Sequence, residues 1–184
     1  MRILESERLI IKPVEENDLQ YLLNLRWDAS VTNFLLHDPI SMKDQKNWFT
    51  NLSKKDFAMS IFLKHPDNQL QIIGTTGLYN IDHRHQRAVT KIRIDSAFQR
   101  QGIASEARLM ILDYGFNILN LKKITADCFA DNEAIVNLNL KLGFKKEGVF
   151  RKHYYHNGKF MDAVQFGILK SEYLAMIKKK KVIS

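Results

Sequence analysis

Apolar residues cluster at 8–14, in Arg-Leu-Ile-Ile-Lys-Pro-Val, and predict a first strand that ends at Pro13 on a sheet edge. The spacing then changes. Within 16–27, Leu19, Leu22, Leu23 and Trp27 recur at helical intervals, and Asp18 lies near the start, where a carboxylate suits free amide groups. A second helix is predicted over 41–52, capped by Ser41 with Asp44 three residues on, and burying Trp48, Phe49 and Leu52. Two β runs, 57–63 and 70–79, flank the turn signal His65-Pro66-Asp67-Asn68 and read as a hairpin; a third run covers 88–94. From Ile103 to Leu119, Ile103, Ala107, Met110, Ile111, Tyr114 and Ile118 mark the strongest helix. A strand at 123–129, a helix at 132–142 and two strands at 148–155 and 161–169 around Asn157-Gly158 complete the order.

Composition narrows the class without changing that order. With 184 residues, 45% apolar and 26% charged, three prolines and eight glycines, the chain reads as one α/β domain over 1–184, and disorder and collagen-like repeats are excluded. The formal charge is +8. Half of it is Lys178 to Lys181, read as a basic flexible tail over 178–184, and the scattered remainder suits an anionic small ligand as well as a phosphate backbone. No basic strand studded with aromatics accompanies the charge, so nucleic acid is not an expected partner. Cys128 is the only cysteine; it reads as core packing in a chain of a reducing compartment, the cytoplasm. No apolar run approaches the roughly 20 residues that span a bilayer, so no membrane role is expected. His83 and His85 lack a third ligand at a recognisable spacing, so no metal site is expected either.

The stretch Gln99-Arg100-Gln101-Gly102-Ile103-Ala104 joins a strand to the long helix. Such a loop aims backbone N–H groups and the positive end of a helix at one point, as a pyrophosphate requires, and a glycine lets the backbone come close. A simple turn and cap is the alternative reading of the same residues.

The order around it adds information. A strand follows the helix, Asn132 then opens a short helix, and Leu142-Gly143-Phe144-Lys145-Lys146-Glu147-Gly148 leads into the closing strands. Together with Glu7-Arg8-Leu9, Asp113-Tyr114-Gly115-Phe116 and Asn157-Gly158-Lys159-Phe160-Met161-Asp162, this order resembles the GNAT superfamily of acyl-CoA-dependent N-acetyltransferases. It looks most like the RimJ/RimL group, with echoes of spermidine and amino-sugar enzymes. The resemblance implies a central mixed, mostly antiparallel sheet of about seven strands with a V-shaped splay, flanked by about four helices. It also implies acetyl-CoA as co-substrate. The backbone of Ile92, Arg93 and Ile94 would pair with the pantetheine arm; the amides of Gln99, Arg100, Gln101, Gly102, Ile103, Ala104 and Ser105 would hold the pyrophosphate; Asn132 would meet cofactor or substrate.

Three departures bear on mechanism. Where many relatives carry a glutamate, a tyrosine and a serine, this chain has Val89, Asn139 and Ile135. An asparagine donates a hydrogen bond to a departing sulfur but is not an acid. The proton of the attacking ammonium must then pass to a group on the loops bordering the acceptor: His83, His85, His153, His156 or Asp82, with His153 and Tyr154 favoured because they precede the Asn157-Gly158 turn. The RimJ/RimL likeness favours a peptide N-terminal α-amine as acceptor. Amino sugars and polyamines are the alternatives, and a polyamine ranks lower because a polycation wants an acidic pocket and the chain is basic. A non-catalytic acyl-CoA-binding module is the reading of another class. Oligomeric state stays open, a homodimer included.

Overall fold

The computed structural model describes residues 3–28, 40–53 and 55–183. Its strands are β1 (Leu4–Glu5), β2 (Leu9–Pro13), β3 (Phe57–Lys64), β4 (Leu70–Asp82), β5 (Arg87–Ile94), β6 (Lys123–Phe129), β7 (Lys145–His156) and β8 (Lys159–Leu169). The α-helices are α1 (Leu19–Trp27), α2 (Met42–Thr50), α3 (Ile103–Asp113), α4 (Glu133–Lys141) and α5 (Lys170–Ile183). Hydrogen-bonded strand neighbours follow the order β1-β2-β3-β4-β5-β6-β8-β7, and in the registers described only β5 and β6 run parallel. This is the mixed, mostly antiparallel sheet expected, with one strand and one helix more among the described residues.

The chain divides into two compact units, Met1–Asn80 with Thr90–Ile111, and Ile81–Val89 with Leu112–Ser184. In the first, alternation in β2 buries Leu9 and Ile11 completely, while the mostly apolar β3 buries both of its faces from Phe57 to Phe62, its one polar residue there, Ser60, donating to Asp18 Oδ2 at 2.7 Å. Val14, Leu19, Leu22 and Ala58 form a cluster against which Trp48, Phe49 and Leu52 pack partly buried. Ser41 and Asp44 make the reciprocal cap foreseen for α2, Ser41 Oγ accepting from Asp44 N at 3.2 Å and Ser41 N donating to Asp44 Oδ2 at 3.1 Å. Trp27 departs from expectation: it is 52% exposed, its indole N–H donating to Ile40 O, and Leu25 takes its place among the buried residues of α1. The helical period of α1, begun at Leu19 after a 3-10 turn at Glu16–Asp18, turns Trp27 off the buried face.

In the second unit β8 lies between β6 and β7, and Ala126, Ile124, Ala163, Phe166 and Ile168 fill the core. Asn157 and Gly158, with φ of 48° and 79°, form the two-residue turn that joins β7 to β8. The helix expected to reach Leu119 is α-helical only to Asp113 and continues as a π-turn, Tyr114–Ile118, with Leu119 N bonding to Tyr114 O. The wider turn changes the phase of the apolar stripe: Phe116 is buried against Tyr173, and Ile118 is turned out, 50% exposed. The backbone of the segment expected as a flexible tail is helical to Ile183, because lysines favour helix once Lys170–Tyr173 has started one on β8.

Candidate active site

The expected cofactor-binding residues, Asn132 apart, come together in the first unit. β5 ends with Ile92, Arg93 and Ile94, and the chain reaches α3 through Asp95, a 3-10 turn at Ser96–Phe98, and residues 99–102. Side-chain amides tie this connection to itself, Gln99 Nε2 donating to Ile94 O at 3.0 Å and Gln101 Nε2 to Ala97 O at 3.1 Å. Arg100 and Gly102 both hold left-handed backbone, φ 60° and 78°. Glu106 N bonds back to Gly102 O at 3.1 Å, whereas Ile103, Ala104 and Ser105 stand in the first turn of α3, where no carbonyl precedes them within the helix. These amides, the helix dipole and the exposed Gln99–Gly102 backbone fit an anionic group such as a pyrophosphate.

Arg8 braces the loop from β2's side. Its Nη1 donates to Gln101 O at 3.2 Å, its Nε to Glu106 Oε2 at 2.9 Å, and Glu106 Oε1 accepts from Ser6 Oγ at 2.6 Å. With 47% of its side chain exposed, Arg8 adds at most about 1 kcal/mol to stability. Arg8→Ala is therefore expected to weaken acetyl-CoA binding severalfold in calorimetry while leaving the melting temperature nearly unchanged; a variant that binds as wild type does would show that the brace is idle.

The first unit also holds a cavity of about 350 Å³ whose walls include Trp48, Asp56, Tyr79 and Lys91. Its lining carries one cation, Lys91, and one anion, Asp56, and the charges of Arg26 and Arg93 also act on Tyr79. Lys91 Nζ lies 5.6 Å from the Tyr79 ring centre, and the Arg26 guanidinium lies 5.8 Å from that of Trp48. The Nε atoms of Arg26 and Arg93 are buried without a hydrogen-bond partner among the described residues. Burial and then the charge of Arg26 push Arg93 down to about 10, and burial lifts the Tyr79 hydroxyl to about 12.

The expected catalytic residues lie in the second unit, in three places. Asn132 caps α4, its Oδ1 accepting from Ile135 N at 3.2 Å, and Asn139 is wholly buried on the same helix. Asp82, at the end of β4, accepts from the His85 amide at 2.9 Å and from His85 Nδ1 at 2.7 Å; these bonds pull its carboxyl down to about 2, which makes it a weak base at neutral pH. His83 is exposed.

The third place is on β6 and β7. The exposed His153 ring stands 4.5 Å from that of Tyr154. Tyr154 donates its hydroxyl proton to Asp127 Oδ2 at 3.0 Å and meets Phe129 edge-on at 5.6 Å. Burial and the Asp127 charge raise the Tyr154 hydroxyl to about 12, so it remains a neutral donor. Asp127 was missed by sequence reasoning; the signal available was strand alternation, which puts it opposite in sense to buried Cys128. Among the described residues no group of His, Cys, Asp and Glu is arranged to hold a metal ion, and no helix is long and apolar enough to cross a membrane.

Comparison with known proteins bears on these features. The family model described as an acetyltransferase (GNAT) domain matches residues 8–145. Spermidine N(1)-acetyltransferase of Escherichia coli (strain K12) is 30% identical over 165 residues, 90% of this chain and 88% of that protein. The uncharacterized N-acetyltransferase YoaA of Bacillus subtilis is 31% identical over 172 residues, 91% of this chain and 97% of its own. Among solved structures, spermidine N-acetyltransferase from Vibrio cholerae in complex with CoA and spermine superposes with a TM-score of 0.81 at 26% identity, covering 92% of this chain and 99% of that one. These relatives correct the finer resemblance to RimJ/RimL: they are spermidine enzymes and Bacillus N-acetyltransferases.

Proposed function

Since the chain belongs to the GNAT acetyltransferase family and is an N-acetyltransferase, we propose that it moves the acetyl group of acetyl-CoA to a small polyamine of the spermidine class. The likeness to spermidine N-acetyltransferases along nearly the whole chain carries this reading. It reverses the ranking drawn from net charge, because a total of +8 says little about the field at one pocket.

Acetyl-CoA supplies the activated acetyl thioester. The amides from Gln99 to Ser105 hold its pyrophosphate, and the backbone of Ile92, Arg93 and Ile94 receives the pantetheine arm. His153 takes the proton that the acceptor ammonium must lose before it attacks, since Val89 has no basic group and Asp82 is too weak a base. Tyr154, neutral throughout the working pH range, donates a hydrogen bond; Asn139 is no acid, and Asn132 serves α4 as cap while facing ligand.

The positive surroundings of Tyr79 and Arg93 favour a second reading, an acceptor that bears a carboxylate beside its amine. Acetyl transfer assayed against spermidine, spermine, amino acids, a peptide N-terminus and an amino sugar separates them. Spermidine is expected to give the highest kcat/KM. A preference for the amino acids would select the second reading, and a preference for the peptide would overturn both.

A further inference from the structure

We infer that Asp127, with the rings of Tyr154 and Phe129 beside it, receives the second ammonium group of the acceptor, the one that is not acetylated. This rests on the polyamine reading above. Asp127 is half-buried on β6, and among the described residues no lysine, arginine or histidine nitrogen lies within 4 Å of its carboxylate. Its described partner is a neutral hydroxyl, Tyr154 Oη at 3.0 Å on Oδ2. One carboxylate oxygen thus remains for another donor, and a half-buried negative charge without a counter-cation gains by meeting one.

The surroundings are those a cation prefers. Phe129 is buried at 2% exposure and presents its ring to both Tyr154, at 5.6 Å, and His156, at 5.2 Å. His156 Nε2 is buried without a hydrogen-bond partner among the described residues. Aromatic faces attract an ammonium through their quadrupole while the carboxylate neutralises it. The cavity beside Tyr79 is lined by Lys91 as well as Asp56, with the charges of Arg26 and Arg93 acting on Tyr79, whereas Asp127 has no cation beside it among the described residues. A polyamine differs from a monoamine in this second charge. Asp127 therefore sets substrate preference, whereas transfer itself belongs to other groups.

Asp127→Asn keeps the shape and an oxygen for the Tyr154 hydroxyl but removes the charge. In that variant the ratio of kcat/KM for spermidine to kcat/KM for butylamine is expected to fall about tenfold or more, through KM for spermidine, and Asp127→Glu is expected to restore most of the preference. Equal losses on both amines would overturn the assignment, since they would make Asp127 a general or structural requirement. Calorimetric titration of spermidine into the wild type and the Asp127→Asn variant, each with CoA present, separates this inference from the reading it rests on. Binding that depends on Asp127 upholds the subsite even if spermidine is not acetylated. Binding that is absent in the wild type, or equal in the two proteins, overturns it.

Discussion

Gly102→Val should raise the dissociation constant for acetyl-CoA by about tenfold or more. The reason is backbone conformation. A Cβ built at Gly102 would meet only Arg8 Nη2 at 3.7 Å, an ordinary contact, so room is available. What valine cannot tolerate is φ of +78°: left-handed backbone costs a residue with a side chain about 1–2 kcal/mol, and a β-branched one more. Relief comes from rotating the peptide groups that lead into α3, which swings the Ile103 to Ser105 amides off a common target. A tenfold loss corresponds to about 1.4 kcal/mol. Calorimetry that finds wild-type affinity would remove the 99–105 loop from the binding site.

Gly74→Ala is expected to damage both stability and cofactor affinity, for a different reason. A Cβ at Gly74 would stand 2.3 Å from Arg93 O and 3.1 Å from Ile94 Cα. Both neighbours are backbone, so nothing can rotate away. β4 and β5 are held together at this point by Asp95 N bonding to Ile73 O and Thr76 Oγ1 to Lys91 O, both at 2.9 Å, and the methyl group would force them apart. A cost of about 3 kcal/mol or more follows, a fall of about 6–12 °C in melting temperature for a domain of this size. Because Arg93 and Ile94 are also the residues assigned to the pantetheine arm, KM for acetyl-CoA should rise in whatever variant remains folded. An unchanged melting curve would show that the strands have slack that the geometry does not reveal.

Much of the fold could be read along the chain because the signals are local. Ser41 and Asp44 lie three apart, so one helical turn brings cap and partner together wherever α2 sits in the molecule. Asn157-Gly158 makes its turn from its own backbone preferences. The 99–105 loop is likewise contiguous, with its glycine, its helix start and its strand in one run of residues.

Failures came where a distant partner decides. Trp27 and Ile118 carry the right spacing for a buried stripe, yet Leu25 and Phe116 were chosen, because the phase of α1 and the π-turn after Asp113 are set by what each helix packs against. Whole-chain charge is a poor guide to the acceptor for a related reason: the charges of Arg26 and Arg93 act on Tyr79 in one place while Asp127, among the described residues, stands without a cation elsewhere, and a sum cannot register that separation.

The sequence by itself determined the order of strands and helices from β2 to β8, the cap of α2, the Asn157-Gly158 turn and a contiguous glycine-bearing loop at the start of α3, since each depends on groups within a few residues of one another. Tertiary structure alone decided which candidate groups meet. Asp127 and Tyr154 are 27 residues apart and join only because β8 lies between β6 and β7 and brings both strands into one sheet. Asp82, a candidate from the sequence where Asp127 was not, is held by His85 three residues away, and its carboxyl is pulled down to about 2. Hydrogen bonds across strands depend on register, which a local pattern does not encode.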